Sequence, residues 1–396
     1  MAFKVACILD CFPVVSQTFI SDEIYLLLQR KNIEINIFIL VKPKSTVHHG
    51  RVKEVLDVID INYLQPPAAG AKAKVLLKRF LLHPIKTVRQ LYAFTKVDQA
   101  RWINFDALVY SEIIQNFGAD HIHSHFAGRA AKTSMAISIW SGMPFSFMTH
   151  GYDVFFKPPG NYSQLVEKAK YVFTISQYNK TYLVDNFHLQ ENKIKVVYCG
   201  IILTDYLGIP YKDHNSDGRV SLLTVARLKP VKGHKYLLHA LHLLRERINF
   251  NFFLFLAGDG SEMDFLKDLA AKLNLIDMVH FLGNQNQFQV CDLLQKCDYF
   301  VLPSISEGLP IVLLEAMASS RLVIAPNVNG VPELVIDNET GLLFEPENID
   351  SLASAIERAV SDANKYSSMI IAARSKVVDQ FSKDVAIDRL IKYWQV

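Results

Sequence analysis

Short apolar runs alternate along this chain with segments whose apolar residues recur every three or four positions. In the first half, Val5–Leu9, Ile35–Leu40, His121–Ser124, Phe145–Met148, Tyr171–Ile175 and Lys195–Val197 predict strands. Thr18–Gln29, Arg129–Ser141 and Gln177–Asn186 predict helices. Tyr206–Gly218 then interrupts the pattern with polar residues, Gly208 and Pro210, as a linker does. Beyond it the alternation restarts. Strands are predicted at Ser221–Val225, Phe252–Ala257, Val279–Phe281 and Tyr299–Leu302, and helices at Tyr236–Leu244, Met263–Leu273, Phe288–Lys296 and Ile311–Ala318. Alternation of this kind implies a parallel sheet wrapped by helices, here twice. The expected organisation is α/β, with two doubly wound Rossmann-like domains at 1–205 and 218–380, a linker at 206–217, and a helical tail at 381–396.

Candidate chemistry gathers where predicted strands end, since ligands of open α/β sheets bind at the carboxyl edge. Ser304–Ser320 follows the predicted strand Tyr299–Leu302, so the chain reads strand, turn, helix, with Gly308 and Pro310 punctuating the turn and Pro310 placed in the first helical turn. Free N–H groups and the helix dipole favour an anion there. Glu307 and Glu315 bracket that start; eight residues at 1.5 Å rise separate them by roughly 12 Å. That is about the span from a sugar across a diphosphate to a ribose. Taken alone, the pair reads equally as a turn residue and a solvated helix position. Arg227 and Lys232 follow the strand Ser221–Val225 and offer a fork and a point charge for phosphate. Gly258-Asp259-Gly260 permits close backbone approach to a ligand, or is an ordinary tight turn.

In the first half, the loop Asp10–Thr18, including Ser16, Gln17 and Thr18, follows the first strand. Thr149–Asp153 follows another, with His150 as a hydrogen-bonding or proton-carrying group, or as a structural histidine. His123 and His125 alternate in His121–Phe126 and could face one side. No carboxylate or cysteine motif accompanies them, so no metal is expected.

Bulk properties narrow the class. The 396 residues suffice for two cores, and half are hydrophobic. Five scattered cysteines, without a Cys-x2-Cys pair, indicate neither zinc nor a disulfide framework, and a reducing cytoplasm is expected. No apolar run reaches the roughly 20 residues of a spanning helix. Net charge is +3, but the chain is +7 through Asp205 and −4 beyond it. Residues 71–101 carry eight Lys/Arg against Asp98, interleaved with Leu77, Phe80, Leu81 and Tyr92. This reads either as basic amphipathic helices on an anionic membrane surface, here the cytoplasmic face of an inner membrane, or as helices packed on the domain. No nucleic-acid motif accompanies the charge.

With these parts assembled, the chain resembles a family 4 glycosyltransferase of the GT-B fold over nearly its whole length. Ser-x-Ser-Glu-Gly-Leu-Pro-x7-Ala-Met-Ala, Arg227 with Lys232, Gly258–Gly260, Phe281-Leu282-Gly283 and Gly330-Val-Pro-Glu-Leu carry the likeness. Phe-Pro-Val-Val-Ser-Gln-Thr-Phe-Ile, His-Ser-His-Phe-Ala-Gly-Arg-Ala-Ala and Thr-His-Gly-Tyr-Asp-Val-Phe resemble the colanic-acid and exopolysaccharide branch. The resemblance implies two domains facing across a cleft, with the last helix, Asp384–Trp394, crossing back to the first domain and Trp394 packing there. It implies retaining, metal-independent transfer of a hexose from a nucleotide sugar, UDP-sugars favoured and GDP-sugars the alternative, with no cofactor. By this likeness Arg227 and Lys232 bind the diphosphate, Glu315 the ribose, Glu307 and His150 the sugar, and Phe281 and Leu282 the base through their backbone. Gly258, Asp259, Gly308, Leu309 and Pro310 complete the donor side. Ser16, Gln17, Thr18, His125 and Asp153 fall to the acceptor, a glycan on a polyprenyl diphosphate. Departures are Gln17 for the branch's usual Glu, Asn329-Gly330 for Gly-Gly, and Ser319-Ser320-Arg321-Leu322 for small-x-Gly-x-Pro. Rival expectations are a nucleotide-sugar epimerase on the same fold, a lectin-like scaffold, and a dehydrogenase, which would need the missing Gly-x-Gly-x-x-Gly.

Overall fold

Apolar runs buried on both faces suit parallel strands, and the computed structural model places them in two all-parallel sheets. It describes residues 2–14, 17–43, 51–98, 100–206, 219–361 and 366–396. The chain divides into two compact units, 1–198 with Ile387–Val396, and Cys199–Ala386. The architecture is GT-B: two parallel-sheet α/β domains, each wrapped by helices.

The sheet of the first unit contains β1 (Phe3–Leu9), β2 (Ile33–Ile39), β3 (Ile61–Tyr63), β4 (His121–His125), β5 (Phe145–Thr149), β6 (Tyr171–Thr174) and β7 (Ile194–Val196). Their order is β3-β2-β1-β4-β5-β6-β7. The chain winds outward from β1 and then crosses back to β4, so the loops after β1 and β4 flank the point where strand order reverses. Register pairs Cys7 with His123 and His123 with Ser146. Ile8, Ile122, Phe145 and Phe147 meet Trp140 and Ile137 in the core. The Trp140 indole N–H donates to the Asn104 carbonyl at 2.7 Å.

The second sheet contains β8 (Val220–Val225), β9 (Phe252–Ala257), β10 (Val279–Gly283), β11 (Tyr299–Val301), β12 (Leu322–Pro326) and β13 (Leu342–Phe344), ordered β10-β9-β8-β11-β12-β13. Its reversal lies between β8 and β11. Leu222, Leu254, Val301 and Ile324 pack against Leu237, Leu241 and Ile356.

The structure adds to the pattern and corrects it. β3, at three residues, is too short to show a period, and β12 and β13 follow the last strand read from the sequence. Residues 71–101 hold most of two helices, Ala69–Leu82 and Pro84–Thr95, joined at His83. Pro310 is not within the first turn. It is the N-cap, with ψ at 106°, before a helix at Ile311–Ala318. Tyr206, placed at the start of the linker, is buried and belongs to the second unit; the rest of that segment lies outside the described residues. Among the described residues, no helix is long and apolar enough to cross a membrane.

The last helix, Lys383–Gln395, starts in the second unit, and from Ile387 onward its residues belong to the first. There Trp394 is 1% exposed, its ring 5.1 Å from that of His123. Lys170 donates to its carbonyl at 3.1 Å. The indole N–H has no partner among the described residues. Trp394→Ala is expected to lower stability by about 3–5 kcal/mol, and Trp394→Phe by less because no hydrogen bond is lost. Urea denaturation of the two variants checks this.

Candidate active site

Three loops at the carboxyl edge of the second sheet converge because three glycines let their backbones touch. Gly258 has φ +143°, and a Cβ there would lie 1.9 Å from the Ala226 carbonyl oxygen. At Gly260 a Cβ would lie 2.2 Å from the Leu228 oxygen, and at Gly233, with φ +65°, 2.0 Å from the Pro303 oxygen. The glycines of Gly258-Asp259-Gly260 therefore serve loop-to-loop packing. Leu228 N–H donates to the Asp259 carbonyl at 3.0 Å, and Gly258 N–H to that of Gly283 at 2.7 Å. This ties the loops after β8, β9 and β10 together. Asp259 and Arg227 remain exposed, and Phe281, Leu282 and Gly308 half-buried, while Leu309 and Pro310 are buried.

Gly233 also sets the turn Pro230–Lys232 against the loop after β11. Lys232 Nζ lies 2.6 Å from Glu307 Oε1, with side chains 17% and 10% exposed. Ser304 Oγ donates to the same oxygen at 2.6 Å. Lys232 and Glu307, read from the sequence as separate contacts, are one ion pair. An ammonium has three donors, so Lys232 can hold the carboxylate and still offer N–H to an anion. Asn329 takes φ +49°, the conformation that a glycine would supply there. Its amide donates to Ser306 Oγ at 2.9 Å, bracing the Ser-Glu-Gly turn. Ser320 likewise takes φ +57° in place of a glycine, and Arg321 is buried, donating to the Ser319 and Cys297 carbonyls at 3.1 and 3.3 Å.

Glu315 has a partner that the sequence did not reveal. Tyr206 donates its hydroxyl to Glu315 Oε1 at 2.8 Å, and burial followed by the Glu315 charge raises the phenol's pKa far above its ordinary value. Gln287 donates to Asp205 Oδ2 at 2.9 Å and approaches the Tyr206 oxygen at 3.4 Å. A polar segment after the last strand of a domain carries no signal for such a role.

In the first unit, His125 ends β4 and His150 follows β5, and both are buried. His125 Nε2 is 3.1 Å from Glu23 Oε1, and its Nδ1 is 3.2 Å from His150 Nε2. A carboxylate accepts, so a neutral His125 donates from Nε2 and accepts at Nδ1. His150 then donates from Nε2 and carries its lone pair on Nδ1. Phe19 and Phe126 pack on the His150 ring, each at 4.6 Å. Glu23 is the carboxylate that the His-Ile-His-Ser-His reading lacked; it comes from helix Thr18–Leu28, about a hundred residues away in the chain. One ligand atom each from Glu23, His123 and His125 lies within 4.8 Å of the others, a set that could hold a cation. The direct Glu23–His125 bond equally satisfies that pair without one.

Asp153 turns both oxygens onto backbone amides, Oδ1 to His150 N–H and Oδ2 to Ala127 N–H, each at 2.7 Å. It braces the loops after β4 and β5, and burial pushes its pKa up to about 6. Gln17 is the N-cap of its helix without a side-chain capping bond, Thr18 is exposed, and Ser16 lies outside the described residues.

Comparison with known proteins gives a consistent result. The description "Glycosyl transferases group 1" matches residues 211–376 and "Glycosyltransferase Family 4" residues 56–205. Two Methanocaldococcus jannaschii glycosyltransferases, MJ1607 and MJ1178, are each 30% identical; the matches cover 57% and 63% of this chain and 60% and 68% of theirs. A putative colanic acid biosynthesis glycosyltransferase of Salmonella typhimurium is 26% identical over 98% of both chains. The Campylobacter jejuni N,N'-diacetylbacillosaminyl-diphospho-undecaprenol α-1,3-N-acetylgalactosaminyltransferase is 26% identical over 74% of this chain and 86% of its own. Among solved structures, Anabaena HepE in complex with UDP superposes with TM-score 0.71 at 18% identity, covering 98% of this chain and 99% of that one.

Buried histidines make the first unit acid-sensitive. Burial, with His125 opposing and Glu23 favouring protonation, lowers the His123 pKa from 6.5 to about 3. Below pH 6.5 the unfolded chain takes a proton that the folded one refuses, so this stability is present above 6.5 and lost as pH falls toward 3. His123→Gln is expected to flatten the dependence of the urea midpoint on pH between 6.5 and 4. An unchanged slope would remove His123 as its source.

Proposed function

The chain belongs to the family 4, group 1 glycosyltransferases, and from that premise we propose that it moves a hexose, with retention and without a metal, from a UDP-sugar to a polyprenyl-diphosphate-linked glycan in surface polysaccharide synthesis. The Lys232–Glu307 pair beside a helix start carries the reading. Breaking the bond between the sugar's reactive carbon and the leaving oxygen sends its electron pair to the diphosphate. On this reading Arg227, Lys232 and the N–H groups at Ile311 and Val312 meet that charge as hydrogen-bond donors. The acceptor hydroxyl attacks from the face the diphosphate leaves and gives its proton to a departing phosphate oxygen. Glu307 orients the sugar and holds Lys232; it forms no covalent intermediate. Glu315, braced by Tyr206, accepts from the ribose hydroxyls. His150 contacts a sugar hydroxyl by hydrogen bonding.

The donor class draws on HepE, which binds UDP, and the acceptor class on the undecaprenol-linked substrate of the Campylobacter enzyme. The working location that follows is the cytoplasmic face of a membrane. Both matching family models describe glycosyltransferases, which favours transfer over epimerisation.

The first test is thermal shift with UDP-, GDP- and ADP-sugars in EDTA. A UDP-sugar alone should raise the melting temperature, the more so as its concentration rises. A shift that appears only when a divalent ion is restored would overturn the metal-free reading. Among variants, Glu315→Ala should weaken donor binding about 10–100-fold, the worth of hydrogen bonds to a charge. Tyr206→Phe, which leaves the carboxylate but removes its brace, should weaken it less. Lys232→Ala should lower kcat about 100–1,000-fold, in the range of lost transition-state donors, with a smaller change in donor affinity. Isothermal titration and steady-state rates separate these outcomes.

A further inference from the structure

The helices Ala69–Leu82 and Pro84–Thr95 bury one face and leave a second set of large apolar side chains outside. Val75, Leu76, Leu91 and Phe94 pack against the core of the first unit, and polar groups fasten the same inward faces. Arg79 donates to the Trp140 carbonyl at 2.7 Å and to Ser111 Oγ at 2.8 Å. Gln90 donates to the same carbonyl at 2.8 Å, Lys72 pairs with the buried Asp106, and Thr87 is 1% exposed. Their outward faces are apolar. Leu77 and Leu81 stand one turn apart, 62% and 75% exposed, and Leu82 at the helix end is 62% exposed. Ile85, Val88 and Tyr92 form the stripe of the second helix at 70%, 55% and 61%. Large side chains this exposed, contiguous over two helices, mark an interaction surface rather than scattered surface apolars.

Charge identifies the partner. Residues 69–96 contain no Asp or Glu. Lys74, Lys78, Lys86 and Arg89 flank the stripe and are all exposed, and Lys96 lies over the Tyr92 ring at 4.8 Å. Of these cations Lys78 approaches an acid, its Nζ 3.4 Å from Glu112 Oε1. Apolar side chains edged by lysine and arginine match a bilayer surface, with acyl chains beneath a layer of anionic headgroups. A protein partner of comparable fit would have to present an apolar strip bordered by carboxylates.

We propose that this helix pair seats the protein on anionic membranes, with Leu81, Leu82 and Ile85 at the joint entering deepest and Lys74, Lys78, Lys86 and Arg89 meeting lipid phosphates. The inference rests on the helix faces and not on the transfer reaction, so either can fail without the other.

The test is flotation of the full-length protein with vesicles of phosphatidylcholine alone or mixed with about a third phosphatidylglycerol. Wild type should float with the anionic vesicles at least about tenfold more than with neutral ones, and salt should weaken the association as it screens the headgroups. Leu81→Gln/Ile85→Gln and, separately, Lys86→Gln/Arg89→Gln should each reduce flotation several-fold. Both variants should keep the wild-type melting curve and its donor-induced shift, because neither pair touches the donor site or the domain core. Two results would overturn the proposal: wild type staying with the unbound fraction on anionic vesicles, or both variants floating as wild type does. Light scattering on the same samples covers the other occupant. A dimer that Leu81→Gln/Ile85→Gln dissociates, without vesicle binding by wild type, would assign the face to a second copy of the chain and also refute it.

Discussion

A carboxylate left one-tenth exposed beside an apolar helix start cannot stand alone, and Glu307 has Lys232 at 2.6 Å. Each charge is held by the other, and Ser304 Oγ donates to the same carboxylate oxygen. This requirement fixes much of the second unit's geometry. The turn after β8 must lie against the loop after β11, and only a glycine at position 233 permits that approach to Pro303. Gly258 and Gly260 then let the loop after β9 pack onto the same turn. Strand order makes the meeting natural, since β8 and β11 are hydrogen-bonded neighbours at the reversal. The pair is thus both a structural tie and a preset cation at the helix N-terminus.

The first unit solves a related problem with neutral groups. His121, His123, His125 and His150 are buried, and for His121 and His123 desolvation disfavours the charged imidazole. They are arranged instead as donors and acceptors. Ser146 Oγ bridges His121 and His123 at 2.7 and 2.9 Å, and Glu23 sets the tautomer of His125 and through it that of His150. One carboxylate on a helix therefore decides which nitrogen of a histidine at a strand end can accept a hydrogen bond. Asp153 supplies the mechanical counterpart by accepting from the backbone N–H of His150 and from that of Ala127.

Much of this was legible from residue pattern. Periodicity located most strands of both sheets, because buried parallel strands are short apolar runs and their covering helices are amphipathic. Motif order along the chain identified the family; Arg227, Glu307 and His150 lie in loops that follow strands, and Glu315 lies within the helix Ile311–Ala318. Short or edge elements escaped. Three residues of β3 show no period, and Pro310 sits as a cap where composition alone allowed a first-turn position.

What the sequence by itself determined is what local chemistry encodes: the alternation of elements, the residue types at the sheet edges, the family, and the basic character of residues 71–101. What only the tertiary structure decided is which groups meet. Glu23 reaches His125, Tyr206 reaches Glu315, and Lys232 is already paired with Glu307. It also decided how the basic helices divide their apolar residues, with Val75, Leu76, Leu91 and Phe94 against the core and Leu77, Leu81, Ile85 and Val88 outward. The physical reason is common to these cases. A hydrogen bond or ion pair forms over about 3 Å, while its partners can be a hundred residues apart, so their pairing is set by how strands order and loops close.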